Sequence, residues 1–289
     1  IDSINKIYTS FSGGKDSTVL LDLVRRVFPD SPAVFCDTGL EYPELREFVK
    51  TVDNVTWLKP EMNFKRVVKE YGYPVINKNI SGNIAVARNK SDGKTAQYFD
   101  KNSDLVKSRV DTYGEQWGLY HAKYAYLLDA PFKVSNRCCY IMKKNSFKKY
   151  NKQTGRYPIV GTMASEGRLR KNAWMQTGCN LFDGKQSKSM PLSFWTEQDV
   201  LKYIKEFNLP YTSVYGNIEQ DKNGKYYTTG ESRTGCIFCA YNVHNEKEPN
   251  RFQRLKETHP KIWEFCMKST DKGGLGMKEV LDYINVPYE

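Results

Sequence analysis

Ser12-Gly13-Gly14-Lys15-Asp16-Ser17 follows a strand-like run, Lys6 to Phe11, and precedes a run in which Leu20, Leu23, Val24, Val27 and Phe28 recur at helical spacing. The order predicts strand, loop and helix, with an anion cradle at the turn. Two glycines reach backbone angles barred to other residues and, lacking a Cβ, let main-chain N–H groups come close to an anion. The helix adds its unpaired first-turn N–H groups and the positive end of its dipole. Lys15 contributes a point charge, and Ser12 and Ser17 contribute hydroxyls. Asp16 is the odd member, because a carboxylate beside phosphates repels them unless magnesium or a structural hydrogen bond occupies it. A plain strand-to-helix turn would account for the glycines alone, but not for lysine, carboxylate and hydroxyls at this spacing.

Outward from the loop, Ala33 to Cys36 reads as a second strand ending in Asp37-Thr38-Gly39, ahead of Glu41, Pro43 and Glu44. Ligands of an open parallel sheet bind outside the carboxyl ends of its strands, which would turn Asp37 and Thr38 toward the crevice of the Gly-Gly loop. The same residues also suit a helix N-cap with an acidic first turn, which needs no ligand. Cys36 is expected to be a small buried residue. Val55–Leu58, Tyr157–Gly161 and Ser189–Leu192 supply further strands, and Gly161 closes the fourth at its carboxyl end. The expected fold is therefore α/β: a Rossmann-like, mostly parallel five-stranded sheet with helices on both faces over residues 1–210. A smaller cysteine-bearing region, 211–289, follows it. Residues 80–114 are polar without a clear period and read as an inserted loop or lid. Trp117 to Leu128 has helical spacing, with most of its rings expected in the core. Thr196 and Asp199 predict a capped helix with Val200, Tyr203, Ile204 and Phe207 on its buried face.

Lys+Arg 44 against Asp+Glu 33 gives a net charge of +11 in 289 residues, which favours an anionic partner, nucleotide or nucleic acid. The densest basic patch lies within 143–156, where Lys143, Lys144, Lys148, Lys149, Lys152 and Arg156 interleave with Phe147 and Tyr150. Such a pattern suits a nucleic-acid acceptor with unstacked bases, and equally a solvated helix surface. No apolar run reaches membrane-spanning length, so no membrane partner is expected. Seven cysteines, an odd number with two adjacent and no secretory leader before them, speak against a disulfide framework and for a reducing cytoplasmic setting.

Four of those cysteines form the second signal: Cys138-Cys139, and far downstream Cys236-Ile237-Phe238-Cys239. A Cys-x-x-Cys turn lets two thiolates converge, with Gly235 allowing a tight backbone before it. Adjacent cysteines diverge, which suits separate iron corners of a 4Fe-4S cluster better than one zinc ion, although structural zinc, a dithiol pair and unrelated buried cysteines stay open. Arg137 and Arg233 are nearby in sequence to offset thiolate charge. Cys179 and Cys266 read as buried and inert, and His121, His244 and His259 lack metal-like spacing.

The loop Ser12–Ser17 resembles the pyrophosphate loop of the N-type ATP pyrophosphatases and of the related phosphoadenosine-phosphosulfate (PAPS) reductase family. Asp37-Thr38-Gly39-x-Glu41-x-Pro43-Glu44 and Pro191-Leu192…Trp195-Thr196…Asp199-Val200 are similar to the same family. Gly161 to Arg170 resembles its Gly-x-Arg-x-x-Glu-Ser-x-x-Arg segment, with Met163 in place of an arginine and Ser165-Glu166 in reversed order. The Cys-Cys and Cys-x-x-Cys pairing resembles its iron–sulfur members. The resemblance, spanning about residues 6–240, implies an adenine nucleotide bound by Ser12, Gly13, Gly14, Lys15, Asp16, Ser17, Asp37, Thr38 and Gly161. It further implies catalysis by Lys15, Asp16, Arg168 and Arg170, and a 4Fe-4S cluster on Cys138, Cys139, Cys236 and Cys239. The family's sulfonucleotide reductases carry a nucleophilic cysteine in a C-terminal Glu-Cys-Gly-x-His tail and usually a degraded loop. Here the loop is intact and the sequence ends Asn285-Val286-Pro287-Tyr288-Glu289. The expected reaction is accordingly ATP-dependent: magnesium-bound ATP is split to pyrophosphate, an acceptor is adenylated, and sulfur is transferred to it. A protein sulfur donor and self-association are both compatible with this reading. A divergent PAPS or APS reductase, or a non-catalytic nucleotide-binding subunit of a nucleic-acid-modification or defence complex, are the alternatives.

Overall fold

A computed structural model describes residues 6–89, 93–182 and 187–289. The chain divides into two compact units, one made of Ile1–Glu61 and Lys143–Gly235, the other of Met62–Met142 and Cys236–Glu289. This partition cuts across the linear division at residue 210. The reason is topological: the fourth strand of the sheet inserts beside the first, so the 81 residues from Met62 to Met142 leave the sheet and fold with the C-terminal stretch.

The first unit holds six strands: β1 (Ile7–Ser10), β2 (Ala33–Cys36), β3 (Val55–Leu58), β4 (Tyr157–Ile159), β5 (Asn180–Leu181) and β6 (Lys188–Ser189). Their spatial order is β3-β2-β1-β4-β6-β5, parallel throughout except for β5. Thr9 lies opposite Ala33 on one side and Ile159 on the other, so β1 is the strand at which the winding reverses. All four residues of β2 are buried, as a parallel strand covered on both faces requires. Successive residues of β1 serve opposite layers. Ile7 packs with Val19, Leu20, Val24, Val200, Leu201 and Ile204 of the helices α1 (Lys15–Val27) and α4 (Glu197–Glu206). Tyr8 packs with Tyr150 and Phe147 of the helix α2 (Asn145–Thr154).

The five expected strands are present, with the fifth cut to Lys188–Ser189 and its apolar continuation, Met190 and Leu192, turned into the core. The additional antiparallel strand, β5, is two residues long and carries no periodic signal. The cap of α4 forms as expected: Asp199 Oδ2 accepts from the Thr196 amide at 2.7 Å while the Thr196 hydroxyl oxygen accepts from the Asp199 amide. Phe207, assigned to the buried face, is instead 42% exposed and stacks 4.3 Å from the Arg26 guanidinium.

In the second unit, Val75–Ile76 pairs in parallel with Ala240–Tyr241, and Tyr73 bridges Val134. The expected polar loop over 80–114 is helical, in segments Lys78–Arg88, Gly93–Gln97 and Asp104–Gly118, with residues 90–92 outside the described part. Its apolar signal is short, Ile80 and Ile84 being the only buried large residues of the first helix. Side-chain caps from Asn77 and Ser103 start two of these helices. The aromatic run after it is a helix end followed by a 3-10 segment, Ala122–Asp129, and leaves Trp117 and Tyr126 exposed rather than in the core. No helix among the described residues is long and apolar enough to cross a membrane.

Candidate nucleotide site and thiol cluster

The Gly-Gly loop leaves the carboxyl end of β1, and residues 160–166 leave that of β4, its neighbour at the reversal point. Between them opens a cavity of about 640 Å³ in the first unit. Ser12, Gly14, Lys15, Asp16, Ser17, Gly161 and Arg170 line it, so seven of the sequence-assigned residues meet there. Gly13 shapes the loop from behind. Its φ is +73°, and a Cβ would stand 2.7 Å from Val49 Cγ2 and 2.8 Å from Leu45 Cδ2. Gly13→Ala is therefore expected to destabilise the protein by about 1–3 kcal/mol, read as a lowered denaturant midpoint with unchanged slope.

The hydroxyls of the loop are spent internally. Ser17 Oγ donates to Gly14 O at 2.9 Å and accepts from the Ser12 amide at 3.1 Å, while Ser12 Oγ lies 3.0 Å from Ser17 Oγ. They hold the cradle's shape. Lys15 is 5% exposed; its Nζ donates to Ser232 O at 2.5 Å and pairs with Glu197 Oε1 at 3.0 Å. Its amide donates to the Tyr215 hydroxyl at 3.2 Å, and that hydroxyl also meets Thr234 Oγ1 at 2.7 Å. Asp16 keeps one carboxylate oxygen, Oδ1, buried with no hydrogen-bond partner among the described residues. Burial is the main cause that raises its pKa above the ordinary carboxylate value; Lys15 lowers it, Glu197 raises it, and Arg233 and Arg170 lower it.

On the opposite wall Glu166 organises the cations. Its carboxylate accepts from the Met163 amide at 2.9 Å and pairs with Arg170 and with Arg233, the latter at 3.4 Å. Arg233, expected beside the thiols, thus belongs to this cavity, and so do Glu166, Glu197, Tyr215 and Thr234, none of which had been assigned to it. The capping signal Thr196…Asp199 was the available clue to Glu197, since it fixes the first turn of α4. Met163, standing where the related segment has arginine, is 3% exposed in the core.

Besides Gly13, three assignments do not line this cavity. Arg168 is exposed at the start of the helix α3 (Arg168–Thr177, counted between α2 and α4) and is not among the lining residues. Asp37 and Thr38 are not lining residues either. Asp37 pairs with Arg46 at 2.7 Å and accepts from the Gly39 amide, and Thr38 Oγ1 donates to the Glu41 carboxylate at 2.8 Å. That is the self-satisfied turn that needs no ligand. The basic patch 143–156 is likewise reduced: Phe147 and Tyr150 face the core, Lys143 pairs with Glu41, and Lys149 pairs with Glu61. Its rings are not surface platforms.

All four assigned thiols lie in the second unit. Two segments flank Tyr73–Ile76: Val134 on one side leads into Cys138-Cys139, and on the other the Cys236–Cys239 turn runs straight into Ala240–Tyr241. The Cys239 amide donates to Cys236 O at 3.0 Å, and Arg251 Nη1 donates to Cys239 O at 2.9 Å. Gly235 has open space where a Cβ would stand, so the turn does not depend on it. The Cys138 and Cys139 sulfurs are 3.9 Å apart. The Cys139 contact, burial, and repulsion from the Cys139, Cys239 and Cys236 thiolates all push the Cys138 thiol far up. Burial chiefly, with Cys236 and Cys139 adding, raises Cys239 to about 11. The four sulfurs therefore gather within one another's electrostatic reach. No three His, Cys, Asp or Glu side chains among the described residues meet at a single-ion distance. Cys36 and Cys266 are buried, and burial raises both thiols. His121 is bound by Asn79 and Asn83, as a structural histidine is.

A family model, the phosphoadenosine phosphosulfate reductase domain, matches residues 6–78 and 93–240. An uncharacterized protein of Methanocaldococcus jannaschii is 24% identical over 277 residues, 95% of this chain and 50% of that protein. A second from the same organism is 25% identical, and the chain spans 40% of its length. An adenosine 5'-phosphosulfate reductase of Staphylococcus haemolyticus is 24% identical over 84% of this chain and 74% of its own. A PAPS reductase structure from Candida auris aligns with a TM-score of 0.39 at 14% identity, over 76% of this chain and 83% of that one.

Proposed function

The chain belongs to the phosphoadenosine phosphosulfate reductase domain family, and we propose that it is an ATP-using member that adenylates an acceptor and delivers sulfur to it. One observation carries this reading: the buried, unpartnered Oδ1 of Asp16 beside Lys15 in the loop cavity. A carboxylate oxygen held dry and without a donor fits a divalent cation, and magnesium travels with ATP phosphates. Asp16 would hold that ion, which supplies charge neutralisation for the leaving group. The loop amides and Lys15 grip the β- and γ-phosphates, and the first turn of α1 adds its dipole. Arg170 and Arg233 on the facing wall stabilise charge at the α-phosphate. An acceptor oxygen bonds to the α-phosphorus, the bond to the bridging oxygen breaks, and that oxygen leaves as part of pyrophosphate.

The gathered thiols Cys138, Cys139, Cys236 and Cys239 would hold a 4Fe-4S cluster, which when bound would supply a place to present sulfide-level sulfur. Their mutual repulsion is relieved when iron draws off the negative charge. In the second half of the reaction a sulfide-level sulfur nucleophile bonds to the adenylated atom of the acceptor, the bond from that atom to the adenylate oxygen breaks, and AMP leaves. The excess positive charge of the chain admits a nucleic acid or a small anionic acceptor.

A second reading, sulfonucleotide reduction, is favoured by relatives named adenosine 5'-phosphosulfate reductase. It needs a thiol to take the sulfo group, and no cysteine lines the described cavity. Cys266, outside the four-thiol set, is fully buried with its thiol pushed up by burial. Parallel anaerobic assays with ATP, APS and PAPS separate the readings. Pyrophosphate from ATP alone is expected; sulfite from either sulfonucleotide with no pyrophosphate from ATP overturns the first reading in favour of the second.

A further inference from the structure

The donors of the cradle are already engaged by oxygens of the chain itself. The Lys15 amide gives its hydrogen to Tyr215 Oη, and the Lys15 ammonium meets Ser232 O and Glu197 Oε1. These three oxygens come from three separate stretches of the first unit and stand where phosphate oxygens would bind. Two belong to neutral groups; Glu197 alone among the three carries a charge.

The pair Lys15–Glu197 is lopsided. The lysine side chain is 6% exposed and the glutamate side chain 54%. A buried ammonium needs an anion beside it, and an anion on a half-exposed side chain can move into water at little cost. Glu197 sits in the first turn of α4, whose capping residues Thr196 and Asp199 hold the backbone in place, and the Glu197 side chain is half-exposed with Lys15 as its ion-pair partner.

We propose that Glu197 is a positioning residue that stands in for nucleotide phosphate: it neutralises Lys15 in the empty cavity and is displaced when a polyphosphate arrives. The inference rests on the reading of the cavity as a phosphate site and adds to it a residue that sets phosphate affinity. Glu197 works against the ligand and for the empty fold. Removing its charge has opposite effects on the two, which a merely structural residue would not produce.

The test is calorimetric titration of inorganic pyrophosphate and of ATP into the full chain, paired with thermal melts without ligand. Glu197→Gln is expected to bind pyrophosphate about fivefold tighter, the value of a half-exposed ion pair, and to melt lower than the unmodified chain when empty. Glu197→Asp, one methylene shorter, falls between. In a Lys15→Met background the Glu197→Gln change is expected to leave affinity where Lys15→Met alone puts it. Unchanged or weaker pyrophosphate binding by both Glu197 variants overturns the inference while leaving the phosphate site intact. Failure of the unmodified chain to bind either pyrophosphate or ATP overturns the site and the inference together.

Discussion

Asp16→Asn is expected to cut nucleotide turnover by about a hundredfold to a thousandfold while raising the melting temperature of the nucleotide-free protein. The two effects share one cause. The folded-state pKa of Asp16 is raised, chiefly by burial, so its charged form is less welcome in the fold than in the unfolded chain. Its contribution to stability is most favourable below the ordinary carboxylate pKa and falls as pH rises from there through the raised folded value. At neutral pH the cost of the buried charge is fully present, and the amide removes it. Turnover runs the other way, since a cation is held by the ionised carboxylate only. The acid limb of the pH–rate profile should accordingly lie above the ordinary Asp range. Thermal melts from pH 4 to 8 and the rate profile over the same span check both signs.

Loss of any one of Cys138, Cys139, Cys236 or Cys239 to alanine is expected to bring iron and acid-labile sulfide in anaerobically purified protein close to background. Cys36→Ala and Cys266→Ala should leave both unchanged. The asymmetry follows from placement: neighbouring thiols push up Cys138 and, after burial, Cys239, whereas Cys266 is raised by burial alone. Four gathered thiols, Cys138 buried and the other three half-buried, repel as thiolates without a cation, so binding and local folding are coupled, and the variants should also melt lower. Stoichiometric zinc without sulfide in the unmodified protein would replace the cluster with a structural metal ion.

The loop was readable because its chemistry is local. Gly13 needs its positive φ, Lys15 and Asp16 follow within two residues, and strand and helix flank them in sequence, so no distant residue had to be known. The thiol set was readable by composition, although what brings its halves together is the pairing of Tyr73–Ile76 with Val134 and Ala240, two-residue strands that leave no pattern. What the sequence hid is what depends on long-range meeting. Glu197, Tyr215 and Arg233 reach the cavity from positions nearly two hundred residues or more beyond the loop; Glu197 and Tyr215 carry no motif of their own, and Arg233 reads from its sequence neighbours as a partner of the thiols. Asp37 and Thr38 lie off the cavity for a reason the sequence does not display: they sit at a strand's carboxyl end, where ligands bind, but Arg46 and Glu41 already pair with them. The basic patch carries fewer exposed rings than its sequence suggests because a count of lysines and rings ignores helical phase, which turned Phe147 and Tyr150 inward.

The central claim is that Asp16 and Lys15 make the loop cavity a site for magnesium-bound ATP. Titration calorimetry of ATP into the unmodified chain and Asp16→Asn, each with magnesium and with a chelator, tests it most directly. The account predicts ATP affinity that rises with magnesium in the unmodified chain and is indifferent to it in Asp16→Asn. Equal affinity in all four titrations would contradict it.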